Sequence, residues 1–249
     1  MALIVLGTYV LVPAFLGLSQ EEAPQALLPS SVRGVLLLCG IELGLFSLAF
    51  GLATFLARFQ ARELLLSTPL RWWAWPRALG WSLALRLGVG ILLAGTLAAF
   101  QWARGEPFGG LGMENARPKI EAMVDVAALR DPVYLALMIT LVSFVLAGLR
   151  EELWRAGMIV LLGRVAPGWF GGRFGPWIAL IPVAILFGLG HTPQGWIGVA
   201  ATTALGLGLG AIMLLHRSLW DAVLAHGFFN ATTFALLPWL AQFLPKLAG

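Results

Sequence analysis

Residues 133–162, VYLALMITLVSFVLAGLREELWRAGMIVLL, decide how this chain is read. The stretch is long and apolar enough to cross a bilayer, which takes roughly 20 apolar residues. Its middle carries the charged run REELWR at 150–155. Either a helix stops at Leu149 and the run is its solvated end, or the charges sit inside one long helix. The immediate return of AGMIVLLG points to the second. Charges inside a bilayer are costly and mark function. Two adjacent carboxylates that repel each other and lose their water, Glu151 and Glu152, are the material of a general base. Glu151 and Arg155 stand four apart, on one helix face, in the favourable acid-before-base order.

Working outward, six further apolar segments lie at about residues 1–18, 34–56, 79–100, 177–191, 196–215 and 219–240. About seven spans therefore predict an all-α fold, a polytopic transmembrane helical bundle. Of the 249 residues, 59% are hydrophobic and 11% are charged, with mean hydropathy +0.88. A soluble domain is about 25% charged, so an ordinary cytosolic enzyme and a disordered tail are excluded. The net charge of +4 is spread along the chain with no basic cluster among aromatics, so nucleic acid is not a partner. The lipid bilayer is. The single cysteine, Cys39, excludes an internal disulfide and a cysteine-built zinc site. The first segment has no basic leader, so it reads as an uncleaved span. Arginines follow the second, fourth and sixth segments (Arg58, Arg62, Arg71, Arg77; Arg164, Arg173; Arg217), which places the N-terminus in the cytoplasm. The Arg, Ala, Gly and Trp usage suggests a bacterial source, and so the bacterial inner membrane.

More polar residues stand inside these segments. Glu42 and Arg86 are expected to pair across neighbouring helices, or Arg86 reaches to an interface, or Glu42 contacts substrate. Phe187 and His191 are four apart, as are His226 and Asn230, so each pair shares a helix face. Together with the glutamates they form an acid/base and hydrogen-bonding set. His216, beside Arg217 and Ser218, is expected at an interface.

The order of EELWRAG at 151–157, FGLGH at 187–191 and SLWDAVLAHGFFN at 218–230 resembles the CPBP (CAAX prenyl protease and Abi, bacteriocin-processing) family of intramembrane endopeptidases. The resemblance divides the chain into residues 1–131, transmembrane segments and a long link with no matched motif, and residues 132–249, a catalytic transmembrane core. It implies a catalytic cavity within the bundle and cleavage near the C-terminus of membrane-associated proteins. It further implies that Glu151 activates water, that His191 and His226 position water or stabilise the oxyanion, and that Asn230 is an oxyanion or water ligand. Arg155 and Phe187 would support them. The chain departs from the family in one place. The family arginine is expected at 156, where this chain has Ala, and Arg155 comes one residue early, a turn of about 100° on the helix. Glu152 is then the free carboxylate, or Arg150 substitutes.

The expected partner is a membrane-anchored protein or peptide. In a bacterium this means a C-terminal sorting tail or a peptide precursor. No cofactor is favoured. A zinc ion on His191, His226 and Glu151 stays open as the alternative, since two histidines and a carboxylate can hold it. Two other functions stay open as well: a catalytically idle scaffold or immunity protein, and a proton-coupled transporter. One geometric demand follows from the spacing. A fifth segment starting at the inner face would put His191 roughly 21 Å deep, against roughly 10 Å for His226. A shared site requires that segment to tilt or to start outside the bilayer.

Overall fold

The computed structural model describes residues 1–18, 26–105 and 118–243. Much of the long link at 101–132, and part of the link after the first segment, lie outside them. The principal helices are α1 (Ala2–Leu18), α2 (Val32–Ala57), α3 (Ala74–Ala103), α4 (Pro132–Val165), α5 (Gly175–Leu189), α6 (Gly195–His216) and α7 (Leu219–Phe243). No strand occurs among the described residues. The all-helical, membrane-embedded architecture expected from hydropathy is what the chain adopts.

The expected count of seven spans is not reproduced. Among the described residues, five helical stretches are long and apolar enough to cross a membrane: α2, α3, α4, Thr192–His216, which ends in α6, and α7 as far as Ala241. Helix α1 has 17 residues and α5 has 15. At about 1.5 Å per residue the described residues of each fall short of a hydrocarbon core of about 30 Å.

Local chemistry sets the helix ends. Ser31 caps α2 by accepting from the Gly34 N–H at 3.1 Å. Asp131 caps α4 by accepting from Val133 N and Tyr134 N at 2.8 and 2.9 Å, with Pro132 in the first turn, where its missing N–H costs nothing. Helix α4 runs through the charged stretch without a break. Its segment Met138–Leu149 is π-helical and leads straight into Arg150. The Ser143 hydroxyl donates to the Met138 carbonyl five residues back, at 2.7 Å.

Helices α4 and α7 form the centre. Gly148 lets them approach until a Cβ there would lie 2.9 Å from the Val223 carbonyl oxygen. Helices α5 and α6 are drawn together in the same way at Gly188, where a Cβ would meet Thr203 Oγ1 at 1.9 Å and the Val199 carbonyl at 2.7 Å. Small residues at a crossing are how helices gain packing when lipid offers no hydrophobic drive. On one side of the centre, Leu6, Phe46, Trp154, Leu180, Phe187 and Leu219 join α1, α2, α4, α5 and α7 in one core. On the other, Ala78, Leu205, Leu209 and Leu224 join α3, α6 and α7. The outer faces of α2 and α3 expose Leu37, Leu48, Phe55, Leu87 and Ile91 to lipid. Cys39 is buried and unpaired.

One expected placement changes. Glu42 and Arg86 do not pair. Arg86 Nη2 donates to the Phe229 carbonyl at 2.7 Å and to the hydroxyls of Thr232 and Thr233 at 2.8 and 3.1 Å, and its guanidinium lies 4.4 Å from the centre of the Phe229 ring. The half-buried arginine is satisfied here by neutral acceptors on α7, so no carboxylate is needed. His216 is half-buried at the C-terminal end of α6 and accepts from Trp81 Nε1 at 2.9 Å.

Candidate active site

Helix α4 delivers three consecutive charged residues, and each finds a different partner. Glu152 is fully buried. Its Oε1 accepts from His226 Nδ1 on α7 at 2.9 Å, and its Oε2 is ion-paired with Arg155. Arg155 is also fully buried, and its guanidinium rests 4.5 Å from the centre of the Phe187 ring. Its Nε and Nη2 have no hydrogen-bond partner among the described residues. Glu151 points elsewhere. Its Oε1 accepts from Arg150 Nη2 at 2.9 Å, and its Oε2 stands 3.8 Å from His226 Nε2.

The expected Glu151–Arg155 pair is therefore corrected. Arg155 pairs with Glu152, three residues before it, and Arg150 takes Glu151. Both spacings, three and four, bring side chains together on a helix. Stacking on Phe187 and full burial select the first. The expectation that Arg150 substitutes for the displaced arginine matches its contact with Glu151.

The histidines present similar faces. A carboxylate and a carbonyl can only accept, so a neutral His226 carries its proton on Nδ1, toward Glu152, and a neutral His191 carries it on Nδ1, toward the Phe187 carbonyl at 3.0 Å. In both rings Nε2 is left with its lone pair. The Phe187 ring packs 4.8 Å from the His191 ring and 6.2 Å from the His226 ring. The two histidines thus converge, as a shared site demands. Helix α5 ends at Leu189, and His191 lies in the turn beyond it. Asn230 is half-buried, one turn after His226, and makes no side-chain hydrogen bond to a described residue.

Sequence reasoning missed Tyr9 and misassigned Glu42. Arg150 Nη1 binds Glu42 Oε2 at 2.6 Å, and the Tyr9 hydroxyl donates to the same oxygen at 3.2 Å. A signal was present, since Tyr9 is one of only two tyrosines in the chain and stands inside an apolar segment.

The arrangement can hold one water between Glu151 Oε2 and His226 Nε2. Their 3.8 Å separation exceeds a direct hydrogen bond and suits a bridging molecule. Among the described residues no three His, Cys, Asp or Glu side chains are grouped so as to hold a metal ion. Two guanidinium groups already supply positive charge to the glutamates.

Residues 133–232 match the family model Rce1-like, described as type II CAAX prenyl endopeptidase Rce1-like. The matched segment contains Glu151, Glu152, Arg155, Phe187, His191, His226 and Asn230. The resemblance drawn from the three short motifs is borne out. No curated protein and no solved structure matches the chain. The matched segment and the apolar helices together support an integral membrane protein with a CAAX-type intramembrane protease kind of function.

Proposed function

We propose that the chain hydrolyses a peptide bond near the C-terminus of a membrane-associated protein, with Glu151 as the water-activating base. One observation carries this reading. Glu152 holds His226 through Nδ1, so that His226 Nε2 faces Glu151 Oε2 across 3.8 Å. A water placed there gives a proton to Glu151 while its oxygen attacks the scissile carbonyl carbon. Asn230 donates its amide N–H to the developing oxyanion, and His191 helps to orient the water. Collapse of the tetrahedral intermediate breaks the C–N bond, and the proton held by Glu151 passes to the leaving amine. Donors fixed in a dry site stabilise such charge far better than water does.

The substrate favoured is a C-terminal sorting tail with its own membrane helix, or a small peptide precursor. The enzyme lies in a bacterial inner membrane with its N-terminus in the cytoplasm. Water activation needs no metal, so 1,10-phenanthroline and EDTA leave cleavage unchanged; loss of cleavage that zinc restores would refute this part of the proposal.

The test maps protein C-termini by mass spectrometry in membranes carrying wild type, Glu151→Ala, Glu152→Ala or His226→Ala. Substrates that keep extra C-terminal residues only in the variants support the reading and name the substrate class. Identical C-termini in all four overturn it.

A further inference from the structure

Arg86 is a cation inside a membrane-spanning helix, and no described carboxylate pairs with it. It belongs to α3, outside the matched segment 133–232. Its acceptors are the Phe229 carbonyl and the Thr232 and Thr233 hydroxyls, all neutral and all bound to Nη2. They hold the side chain in place by one nitrogen without matching its charge. Nη1 and Nε donate to no described residue. Charged side chains within spans mark the path of a substrate or an ion.

Depth argues against a lipid headgroup as its anion. Helix α7 has 25 residues, and Phe229–Thr233 lie about 15–21 Å from its start at about 1.5 Å per residue. A hydrocarbon core of about 30 Å along this helix leaves them at least about 8 Å inside. An arginine at that depth ordinarily stretches toward the interface. Arg86 is instead tied across to α7, with its guanidinium 4.4 Å from the centre of the Phe229 ring. An anion that meets it there is carried in on a chain.

The position of Arg86 along α7 says which anion. His226, Asn230 and Thr233 follow at intervals of four and three, so they share one helix face. From His226 to Thr233 is about 10 Å along the axis, which about three residues of extended chain span at about 3.3 Å each. A polypeptide whose scissile carbonyl lies at His226 and Asn230, and which ends about three residues later, brings its free α-carboxylate to Arg86. We propose that Arg86 is a specificity-determining residue that binds the substrate's C-terminal carboxylate through Nη1, so that the cut is measured from the end of the chain. This deepens the proposed cleavage near a C-terminus and rests on it. A lysine would serve less well. Arg86 is held by Nη2 and still offers Nη1, whereas an ammonium has one nitrogen for both tasks.

The test reads binding rather than cleavage, with the full-length Glu151→Ala protein in phospholipid nanodiscs. The probe is an N-palmitoylated, dansyl-labelled peptide ending in three leucines, made once with a free α-carboxylate and once as the C-terminal amide. Fluorescence titration compares the two. The acid binds at least about tenfold tighter than the amide, the effect of a hydrogen bond to a charged group. Adding Arg86→Gln brings the acid down to the amide and leaves the amide where it was. Adding Arg86→Lys lowers the preference without abolishing it, and this variant carries the test if Arg86→Gln does not accumulate. Equal binding of acid and amide, binding of neither, or an undiminished preference in either Arg86 variant overturns the inference. No bond is cleaved in this measurement, so failure of the cleavage reading and failure of this one are separately visible.

Discussion

Glu151 and Glu152 are chain neighbours with different duties, and substitution separates them. Glu151→Gln keeps the shape, and the activity lost is about 10²–10⁴-fold, the usual worth of a general base. Its thermal unfolding in detergent stays close to wild type, because Glu42 still holds Arg150. Glu152→Gln leaves the fully buried Arg155 without its counter-charge. Stranding a buried charge costs about 3–5 kcal/mol, so this variant melts well below wild type before activity is even considered. Equal melting of the two variants would contradict the division of roles. This division was only half legible in the sequence. The spacing of Glu151, Glu152 and Arg155 allows either pairing, and the choice falls to Phe187, more than thirty residues downstream on another helix. His226 and His191 were readable because ionisable groups inside apolar segments are few. Tyr9 was marked only by its rarity, and a tyrosine in a helix of that kind is equally at home at a membrane interface.

At the scale of the helix, close approach is where the fold is least forgiving. Gly148→Ala places a methyl 2.9 Å from the Val223 carbonyl, and Gly188→Ala places one 2.7 Å from the Val199 carbonyl. Backbone cannot turn aside as a side chain can, so each substitution costs about 1–3 kcal/mol, the range of other overpacked cores. Gly44→Ala meets open space on the lipid side of α2 and leaves stability unchanged or slightly higher. Unfolding curves of the three variants rank these effects. Outside the membrane, Arg164 joins the end of α4 to the loop after α2. It binds both Glu63 oxygens at 2.7 and 2.6 Å and donates to the Ala57 carbonyl. The Arg164 guanidinium beside Glu63 holds its carboxyl below the usual glutamate range. A depressed carboxyl gives stability that is complete above the unfolded value of about 4.3 and is lost as pH falls through the folded one. Wild type therefore loses a little more stability than Glu63→Gln between about pH 5 and 3, by less than about 1 kcal/mol for so exposed a pair. Unfolding at stepped pH shows this as converging curves. Helix existence was legible from hydropathy, and helix length was not. Nothing in the apolar run 177–191 says that it stops short, and only packing against α4 and α6 fixes that.

For the whole molecule, the matched segment is not a self-sufficient unit. Trp154, next to the acid pair, donates its indole N–H to the Leu6 carbonyl at 2.9 Å, and Leu6 and Phe46 share the core of Trp154 and Phe187. Deleting residues 2–18 removes that acceptor and opens the core beside Glu152. The shortened protein accumulates poorly in membranes, and what remains does not process C-termini, as immunoblotting and C-terminal mapping would reveal. Full accumulation with full processing would show that α1 is dispensable. This dependence was not legible beforehand, because α1 carries no motif and its contact with Trp154 is made by a backbone carbonyl. The π-helical stretch Met138–Leu149 has a consequence of another kind. A π turn accommodates one residue more than an α turn, and such turns recur at functional sites. Loss of a single residue there can be absorbed by tightening π into α, with Glu151 and Glu152 still turned toward His226. The helix thus carries slack for a one-residue deletion directly ahead of its chemistry, and a lineage could shorten it at that point without discarding the enzyme.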